Sequence, residues 1–318
     1  MNSAGLNLIK TLGCLTAVTF FTLYNTYDNY SYNYNQALAF LTFISTIATP
    51  LFFVVAGYLD AGTQHSPEWQ LKKIRRILVI FLFWYSIYYF IEPYYKGYLI
   101  QPWFVLALMI IYCFHPLIDR LVRRRGLFLS LIGLLLLFAL SYDLQAVYSP
   151  ESRWLSVPAE FRLWTWVLYY LTGQLLYDPV IAAFYSRPKV AKAALIAVPF
   201  VYVFTWLYEK HFFFTLFRVE RDGYILTGSQ VYILVVLIII AINGLNIAEN
   251  LNRISATLSK TMTGVYILHY SFFNLLIQWI NITSLTTKLL TILLTFLLSV
   301  MLTLLLLQFQ VTKRLVSF

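Results

Sequence analysis

Ten long apolar blocks divide this 318-residue chain and constrain its fold more than any other feature. A membrane-spanning helix needs roughly 20 consecutive apolar residues, and all but the short fifth and sixth blocks approach that length. Apolar residues fill the blocks continuously instead of alternating, which argues against a β-barrel. The blocks are Leu6–Tyr27, Ala37–Leu59, Leu71–Ile91, Tyr98–Ile118, Leu127–Tyr142, Phe161–Tyr177, Val190–Tyr208, Tyr224–Gly244, Leu258–Ile280 and Thr286–Gln310.

Composition excludes a soluble globular protein. Hydrophobic residues make up 60% of the chain and charged residues only 11%, whereas a soluble domain has about 25% charged residues. We therefore predict an all-α polytopic membrane protein, a single transmembrane domain over residues 1–318 built as a bundle of about ten helices. The first block is expected to be a retained helix, because it lacks a basic leader and a small-residue cleavage site.

The basic residues are distributed unevenly between the connections of this bundle. Sixteen of the 23 lysines and arginines lie on one side and seven on the other. Because cytoplasmic connections carry the excess of Lys and Arg, both termini are predicted to be cytoplasmic. The same distribution accounts for the net charge of +10. The expected partner is therefore the lipid bilayer and not nucleic acid.

Polar side chains inside the spans are candidate functional residues, because they are costly in hydrocarbon. His269 lies about eleven residues, or roughly 16 Å, past the cytoplasmic start of its block. Tyr266 shares its helical face at a spacing of three. An imidazole suits general acid–base chemistry near neutral pH, and a core histidine hydrogen-bonded to a neighbouring helix explains the pattern equally well.

Basic residues also lie at the predicted cytoplasmic starts of the first and third blocks. Lys10 is typical of a lysine whose charge reaches the interface, and the pair Arg75 and Arg76 is explained by topology. An anionic cofactor entering from the cytoplasm would use the same cations. No metal centre is expected, because the four histidines show no HExxH spacing and Cys14 and Cys113 lie in separate apolar blocks.

Five strings, in order along nearly the whole chain, carry a resemblance to a known family. They are TPLFFVVAGYL (49–59), LKKIRRILVIFLFWYS (71–86), QPWFVLALMIIY (101–112), WVLYYLTGQLLY (166–177) and TGVYILHYSF (263–272). Together they resemble acyltransferase family 3, the bacterial inner-membrane acyltransferases. The branch to which they are most similar is that of the enterobacterial common antigen O-acetyltransferases. The resemblance implies a multi-pass protein of the bacterial inner membrane.

This resemblance implies an activity and a set of site residues. Members transfer an acetyl or other acyl group from cytoplasmic acyl-CoA to a hydroxyl of an extracytoplasmic glycan or lipid-linked sugar of the cell envelope. No metal is implied, and a homo-oligomer is compatible with the sequence. The implied residues are His269 and Tyr266 for catalysis, Lys10, Arg75 and Arg76 for acetyl-CoA, and Gln101, Trp103 and Tyr58 for the substrate.

The chain departs from the family pattern at several polar positions. The family's first helix carries an arginine and, eleven residues later, a histidine, where this chain has Lys10 and Phe21. Gln101 replaces a histidine and Ala56 a serine. Two hypotheses therefore stay open: an active acyltransferase that uses His269 or an unrecognised group through a hydrated passage, and a catalytically inactive relative in glycan export or assembly. An ion-coupled transporter is disfavoured, because the acids lie in loops or at span ends.

Overall fold

The computed structural model describes residues 1–26, 36–63, 65–91, 102–148, 157, 161–207 and 229–317. In this part of the chain all regular secondary structure is helical, which confirms the predicted all-α class. The helices are α1 (Ser3–Asn25), α2 (Gln36–Ser45), α3 (Ala48–Ala61), α4 (Pro67–Ile91), α5 (Pro102–Cys113), α6 (His115–Val122), α7 (Arg125–Tyr148), α8 (Leu163–Tyr177), α9 (Pro179–Tyr185), α10 (Pro188–Leu207), α11 (Tyr232–Asn243, preceded by a 3-10 turn at Ser229–Val231), α12 (Glu249–Lys260), α13 (Met262–Ile277), α14 (Leu285–Leu306) and α15 (Gln310–Val316).

Within the described residues, five helical segments are long and apolar enough to cross a membrane. The number is six if α5 and α6, which are separated by a break at Phe114, count as one span. All five overlap predicted blocks, so the chain has the character of a multi-pass integral membrane protein, although the count does not reach the predicted ten. The five segments are Ser3–Leu23, Phe40–Ala61, Arg125–Asp143, Pro188–Leu207 and Leu285–Leu306.

Besides Tyr98–Ile118, which contains the break at Phe114, two predicted blocks are interrupted where the backbone does not continue one regular helix. The block Ala37–Leu59 contains both α2 and α3, with the break at residues 46 and 47. Pro50 lies four residues after Thr46 and has no N–H to donate to that carbonyl. The block Leu258–Ile280 is divided at Thr261, whose hydroxyl donates to the carbonyl of Leu258 at 2.8 Å.

The chain folds into two compact units, each assembled from three separate stretches of sequence. Unit 1 comprises Met1–Gly13, Thr46–Thr63 and Leu117–Arg253. Unit 2 comprises Cys14–Ser45, Gln64–Pro116 and Ile254–Phe318. The unit boundaries fall inside α1, α6 and α12, so these helices contribute to both. That the whole chain acts as one domain stays a prediction.

In unit 1, α3 and α8 approach so closely that backbone meets backbone. A Cβ added to Gly57 would lie 2.0 Å from the carbonyl oxygen of Tyr170, and one added to Gly173 would lie 2.1 Å from that of Val54. Small residues permit such an approach between membrane helices. The hydroxyl of Tyr170 donates to Oδ2 of Asp60 at 3.0 Å, which gives this buried carboxylate a hydrogen bond from the facing helix.

Unit 1 also contains a buried ion pair between Arg162 and Asp143, both 1% exposed. The backbone N–H and the hydroxyl of Ser229 donate to Asp143 Oδ2 at 2.9 and 2.6 Å. Arg162 Nε donates to the carbonyl of Val157 at 3.0 Å. Buried charges need such partners because their desolvation is costly. The network joins α7, the start of α8 and the 3-10 turn.

In unit 2, α13 packs against α14 and α4. A Cβ added to Gly264 would lie 2.3 Å from Cγ2 of Thr303, so α13 and α14 touch at this glycine. The indole N–H of Trp84 donates to the carbonyl of Leu315 at 2.8 Å, which holds α15 against α4. The helix that carries the string TGVYILHYSF therefore packs against α4, α14 and α15 of its own unit.

Candidate active site

The imidazole of His269 lies inside unit 2, where the residue is 8% exposed. Phe21 of α1 meets it edge to face, with ring centroids 4.8 Å apart. Tyr266, one turn earlier on α13, lies 5.8 Å away, and Phe104 of α5 packs against Tyr266 at 5.5 Å. Residues from α1, α5 and α13 therefore meet around one buried imidazole.

A backbone hydrogen bond fixes the tautomer of this imidazole. His269 Nδ1 lies 3.1 Å from the carbonyl oxygen of Val265. Because a carbonyl oxygen accepts and never donates, the neutral ring carries its proton on Nδ1 and donates it to Val265. The lone pair is then on Nε2. This is the form that a general base needs.

Phe21, the ring that meets His269, is itself packed among aromatic side chains of α13. It contacts Tyr270 and Phe273, at centroid distances of 5.7 and 5.3 Å. Among the described residues, no acidic or basic side chain hydrogen-bonds the imidazole. The described residues thus do not build a triad in which a carboxylate stabilises the imidazolium. The orienting group is the carbonyl of Val265. Two aromatic rings, Phe21 and Tyr266, lie against the imidazole where the sequence led us to expect a hydrated passage.

Comparison with known proteins assigns the chain to a family. A family model described as an acyltransferase domain, of the acyltransferase 3 type, matches residues 3–308. The chain belongs to acyltransferase family 3. No curated protein and no solved structure matches it significantly.

In this acyltransferase 3 protein, the predicted cationic pair lies on α4 in unit 2. Arg75 and Arg76 are both exposed, and Arg76 Nη2 donates to the carbonyl of Ser317 at 2.9 Å. Neither forms an ion pair with an acid in the described part of the chain. Tyr88, which contacts α13 through the carbonyl of Ile267, lies twelve residues beyond Arg76, about 18 Å along α4. The arginines and the contact of Tyr88 with α13 therefore lie about three helical turns apart along α4.

The other predicted binding residues do not join this pocket within unit 2. Lys10 and Tyr58 belong to unit 1. Lys10 is half-buried and, within the described ranges, forms no ion pair, whereas the hydroxyl of Tyr58 accepts a hydrogen bond from the amino group of Met1. Gln101 lies outside the described residues, and only the backbone of Trp103, in the first turn of α5, is described.

Tyr88 is a residue of this region that the sequence analysis missed. It is 3% exposed, its hydroxyl donates to the carbonyl of Ile267 at 2.8 Å and it accepts from the hydroxyl of Ser271 at 2.8 Å. Because Tyr88 lies in a run of aromatic residues, no spacing distinguished it. It fixes α4 against the helix that carries His269.

A surface groove on unit 2 does not coincide with this pocket. It has a volume of about 490 Å³ and is largely apolar. Its lining lies on α4, where exposed apolar side chains suit contact with lipid tails. We therefore assign it to the lipid-facing surface of the protein. The lining residues are Leu82, Phe83, Ser86, Ile87 and Phe90.

Proposed function

We propose that this protein transfers an acetyl or other acyl group from cytoplasmic acyl-CoA to a hydroxyl of an extracytoplasmic glycan or lipid-linked sugar. The observation that carries the proposal is the hydrogen bond from His269 Nδ1 to the carbonyl of Val265. It leaves Nε2 as a base on a buried imidazole, among side chains from three of the helices that the family model covers. Water-poor surroundings strengthen electrostatic interactions with reacting groups.

The proposed reaction uses His269 in both of its proton transfers. The acceptor hydroxyl loses its proton to Nε2 while its oxygen attacks the thioester carbonyl. As the C–S bond breaks, the imidazolium returns that proton to the CoA thiolate, so the products are an O-acyl ester and free CoA. Tyr266 supplies a hydroxyl that donates to the oxyanion of the tetrahedral intermediate.

The charges of α4 suit the nucleotide end of the donor. Arg75 and Arg76 are exposed, and arginine binds phosphate through paired hydrogen bonds. Lys10 of unit 1 is a third proposed cation for acetyl-CoA. The distance of about 18 Å along α4 between the arginines and the residues that contact α13 leaves room for an extended thioester arm between the phosphates and the imidazole.

The acceptor side of the proposal rests on the family resemblance. Gln101, Trp103 and Tyr58 are proposed to contact the sugar, and Phe104 brings the start of α5 next to Tyr266. We propose a protein of the bacterial inner membrane, of the enterobacterial common antigen O-acetyltransferase type. In this proposal ten helices span the membrane and both termini are cytoplasmic.

A catalytically inactive relative that acts in glycan export or assembly is the second candidate. It is favoured by Phe21, which occupies the position where the resemblance implies a histidine and whose phenyl ring lies against His269. A phenyl ring transfers no proton. In this alternative the pocket binds acyl-CoA or acceptor without chemistry.

The test is acyl transfer by the purified chain in lipid nanodiscs. Radiolabelled acetyl-CoA is supplied with a lipid-linked glycan fraction, and both ester formation and release of acetate are measured. His269→Gln should lower kcat by at least about 10²-fold, the usual contribution of an acid–base group. Arg75→Ala combined with Arg76→Ala should raise KM for acetyl-CoA and leave kcat largely unchanged.

His211→Gln is the matched control, since it removes a histidine from elsewhere in the chain. Full activity of His269→Gln would rule out this histidine as the base. If the wild type neither transfers nor hydrolyses acetyl groups, and acetyl-CoA nevertheless raises its Tm, the inactive relative is the correct description.

A further inference from the structure

Two of the four histidines of this chain lie against each other, away from the acyltransferase pocket. His65 lies two residues before the start of α4, and His115 is the first residue of α6. Their ring centroids are 3.7 Å apart, and each offers a ring nitrogen within 4.8 Å of the other's. His115 is fully buried and His65 half-buried. Both belong to unit 2.

Aromatic side chains shelter this histidine pair. The indole of Trp69 lies 4.5 Å from the ring of His65 and 5.2 Å from that of His115, and Tyr112 lies 5.7 Å from Trp69. Lys73 places its ammonium over the ring of Trp69. The imidazoles are therefore held in one place by rigid neighbours, as ligands of a bound metal ion must be.

The chemistry of the two side chains indicates which metals this pair suits. Imidazole nitrogen is a ligand typical of zinc and other borderline divalent metals, and water occupies coordination positions that the protein does not fill. The hard ions Mg²⁺ and Ca²⁺ prefer oxygen ligands.

We propose that His65 and His115 bind a divalent transition metal, with zinc as the best match and water completing its coordination. Metal–nitrogen bonds of about 2.0–2.1 Å require the two stacked rings to open slightly around the ion. His65 can make this adjustment because it lies outside helical structure. The site departs from the expectation of a protein without metal, and it is independent of the proposed acyl transfer.

The bound metal would connect the segment before α4 to the first residue of α6. It would thereby fix the start of α4, the helix that carries Arg75 and Arg76. Binding of a ligand to the folded state alone stabilises that state, so we expect zinc to raise the Tm of the protein. This role does not require the metal to touch any substrate.

The experiment measures zinc on the full chain, purified in detergent through a tag without histidine. After exposure to zinc and removal of loosely bound ions, elemental analysis should find about one zinc per chain, the loading of a single site. Cobalt(II) in place of zinc should give the visible absorption of a low-symmetry site. Competition with a coloured chelator gives the affinity.

Variants locate the site. Loss of an outer partner of a metal ligand already costs about 10–100-fold in affinity, so His65→Ala should weaken zinc binding at least tenfold. His211→Ala and His269→Ala should bind as the wild type does. Because His65 is half-buried and non-helical, His65→Ala is the variant best able to fold, and its Tm without metal verifies this.

Two results would overturn the proposal. The first is that the wild type retains no zinc after dialysis, and the second is that a folded His65→Ala variant has unchanged zinc affinity. Neither result would bear on acyl transfer, because the readout is metal content and not activity.

Discussion

At the scale of single residues, the pair of Phe21 and His269 sets the chemistry that this pocket can perform. The two rings meet edge to face at 4.8 Å, an arrangement that is favourable for aromatic pairs. A phenyl ring provides neither a proton nor a hydrogen bond. The imidazole is therefore oriented by the carbonyl of Val265 and has no side-chain acid–base partner among the described residues.

Phe21→His should increase acyl transfer. The smaller imidazole fits the space of the phenyl ring and places a second proton-transfer group beside His269. Such groups contribute about 10²–10⁴-fold to rates, so we expect an increase of at least about tenfold in kcat, measured with radiolabelled acetyl-CoA. Phe21→Leu controls for a change of shape without a new proton-transfer group. A folded Phe21→His protein as slow as Phe21→Leu would contradict a role for this contact in catalysis.

Spacing along one helix predicted only those contacts of His269 that lie within its own helix. A separation of three residues predicts that Tyr266 and His269 share a face, and the structure has their rings 5.8 Å apart; their catalytic roles stay predictions. Phe104 and Tyr88 could not be predicted as neighbours of this helix. They reach it through packing of α5 and α4, and no spacing within one segment encodes a contact between distant segments.

The contact of His65 with His115 could not be predicted from the sequence for the same reason. His65 and His115 are 50 residues apart, and neither belongs to a spacing typical of metal ligands. Their proximity depends on how α4 and α5 pack, because Trp69 and Tyr112 of these helices lie in contact. The spacing of residues within one segment cannot predict a site whose members come from two distant segments.

At the scale of helices, the contact of α3 with α8 depends on two glycines. A methyl group on Gly57 would lie 2.0 Å from the carbonyl oxygen of Tyr170. This obstacle is backbone and cannot rotate away. Gly57→Ala should therefore destabilise the protein by about 1–3 kcal/mol, the usual cost of overpacking, and lower the Tm in a fixed detergent. Gly173→Ala should act similarly.

Gly133→Ala on α7 is the matched control, since nothing lies within 4 Å of a Cβ at that position. It should leave the Tm unchanged or raise it slightly, because alanine favours helix more than glycine does. If Gly57→Ala and Gly133→Ala have equal Tm values, the close approach of α3 and α8 does not contribute to stability as we infer.

Helix positions were predictable where apolar length alone determines them. The predicted block Val190–Tyr208 corresponds closely to α10, and Thr286–Gln310 to α14. Breaks inside blocks were not predicted, because hydropathy does not register the missing N–H of Pro50 or the hydrogen bond from the hydroxyl of Thr261 to the carbonyl of Leu258. The short helix α11 begins eight residues after Tyr224, the predicted start of its block. Tyr224 itself belongs to residues 208–228, which lie outside the described residues.

At the scale of the whole molecule, the number and direction of the spans are the main open prediction. The described residues contain five candidate spans, whereas the apolar blocks predict ten. Charge supplies a separate argument. Basic connections stay in the cytoplasm during insertion, and ten predicted spans divide the basic residues into 16 on one side and 7 on the other.

Cysteine accessibility in intact bacteria tests this topology. In a chain with Cys14→Ala and Cys113→Ser, a single cysteine is introduced by Ser3→Cys, Glu151→Cys or Lys313→Cys. A membrane-impermeant maleimide should label Glu151→Cys in intact cells, because its connection belongs to the predicted outer side. Ser3→Cys and Lys313→Cys should react only after permeabilisation, because an even number of spans returns both termini to the cytoplasm. Labelling of one terminus alone in intact cells would show an odd number of spans, and labelling of both would place the basic side outside, against the charge rule.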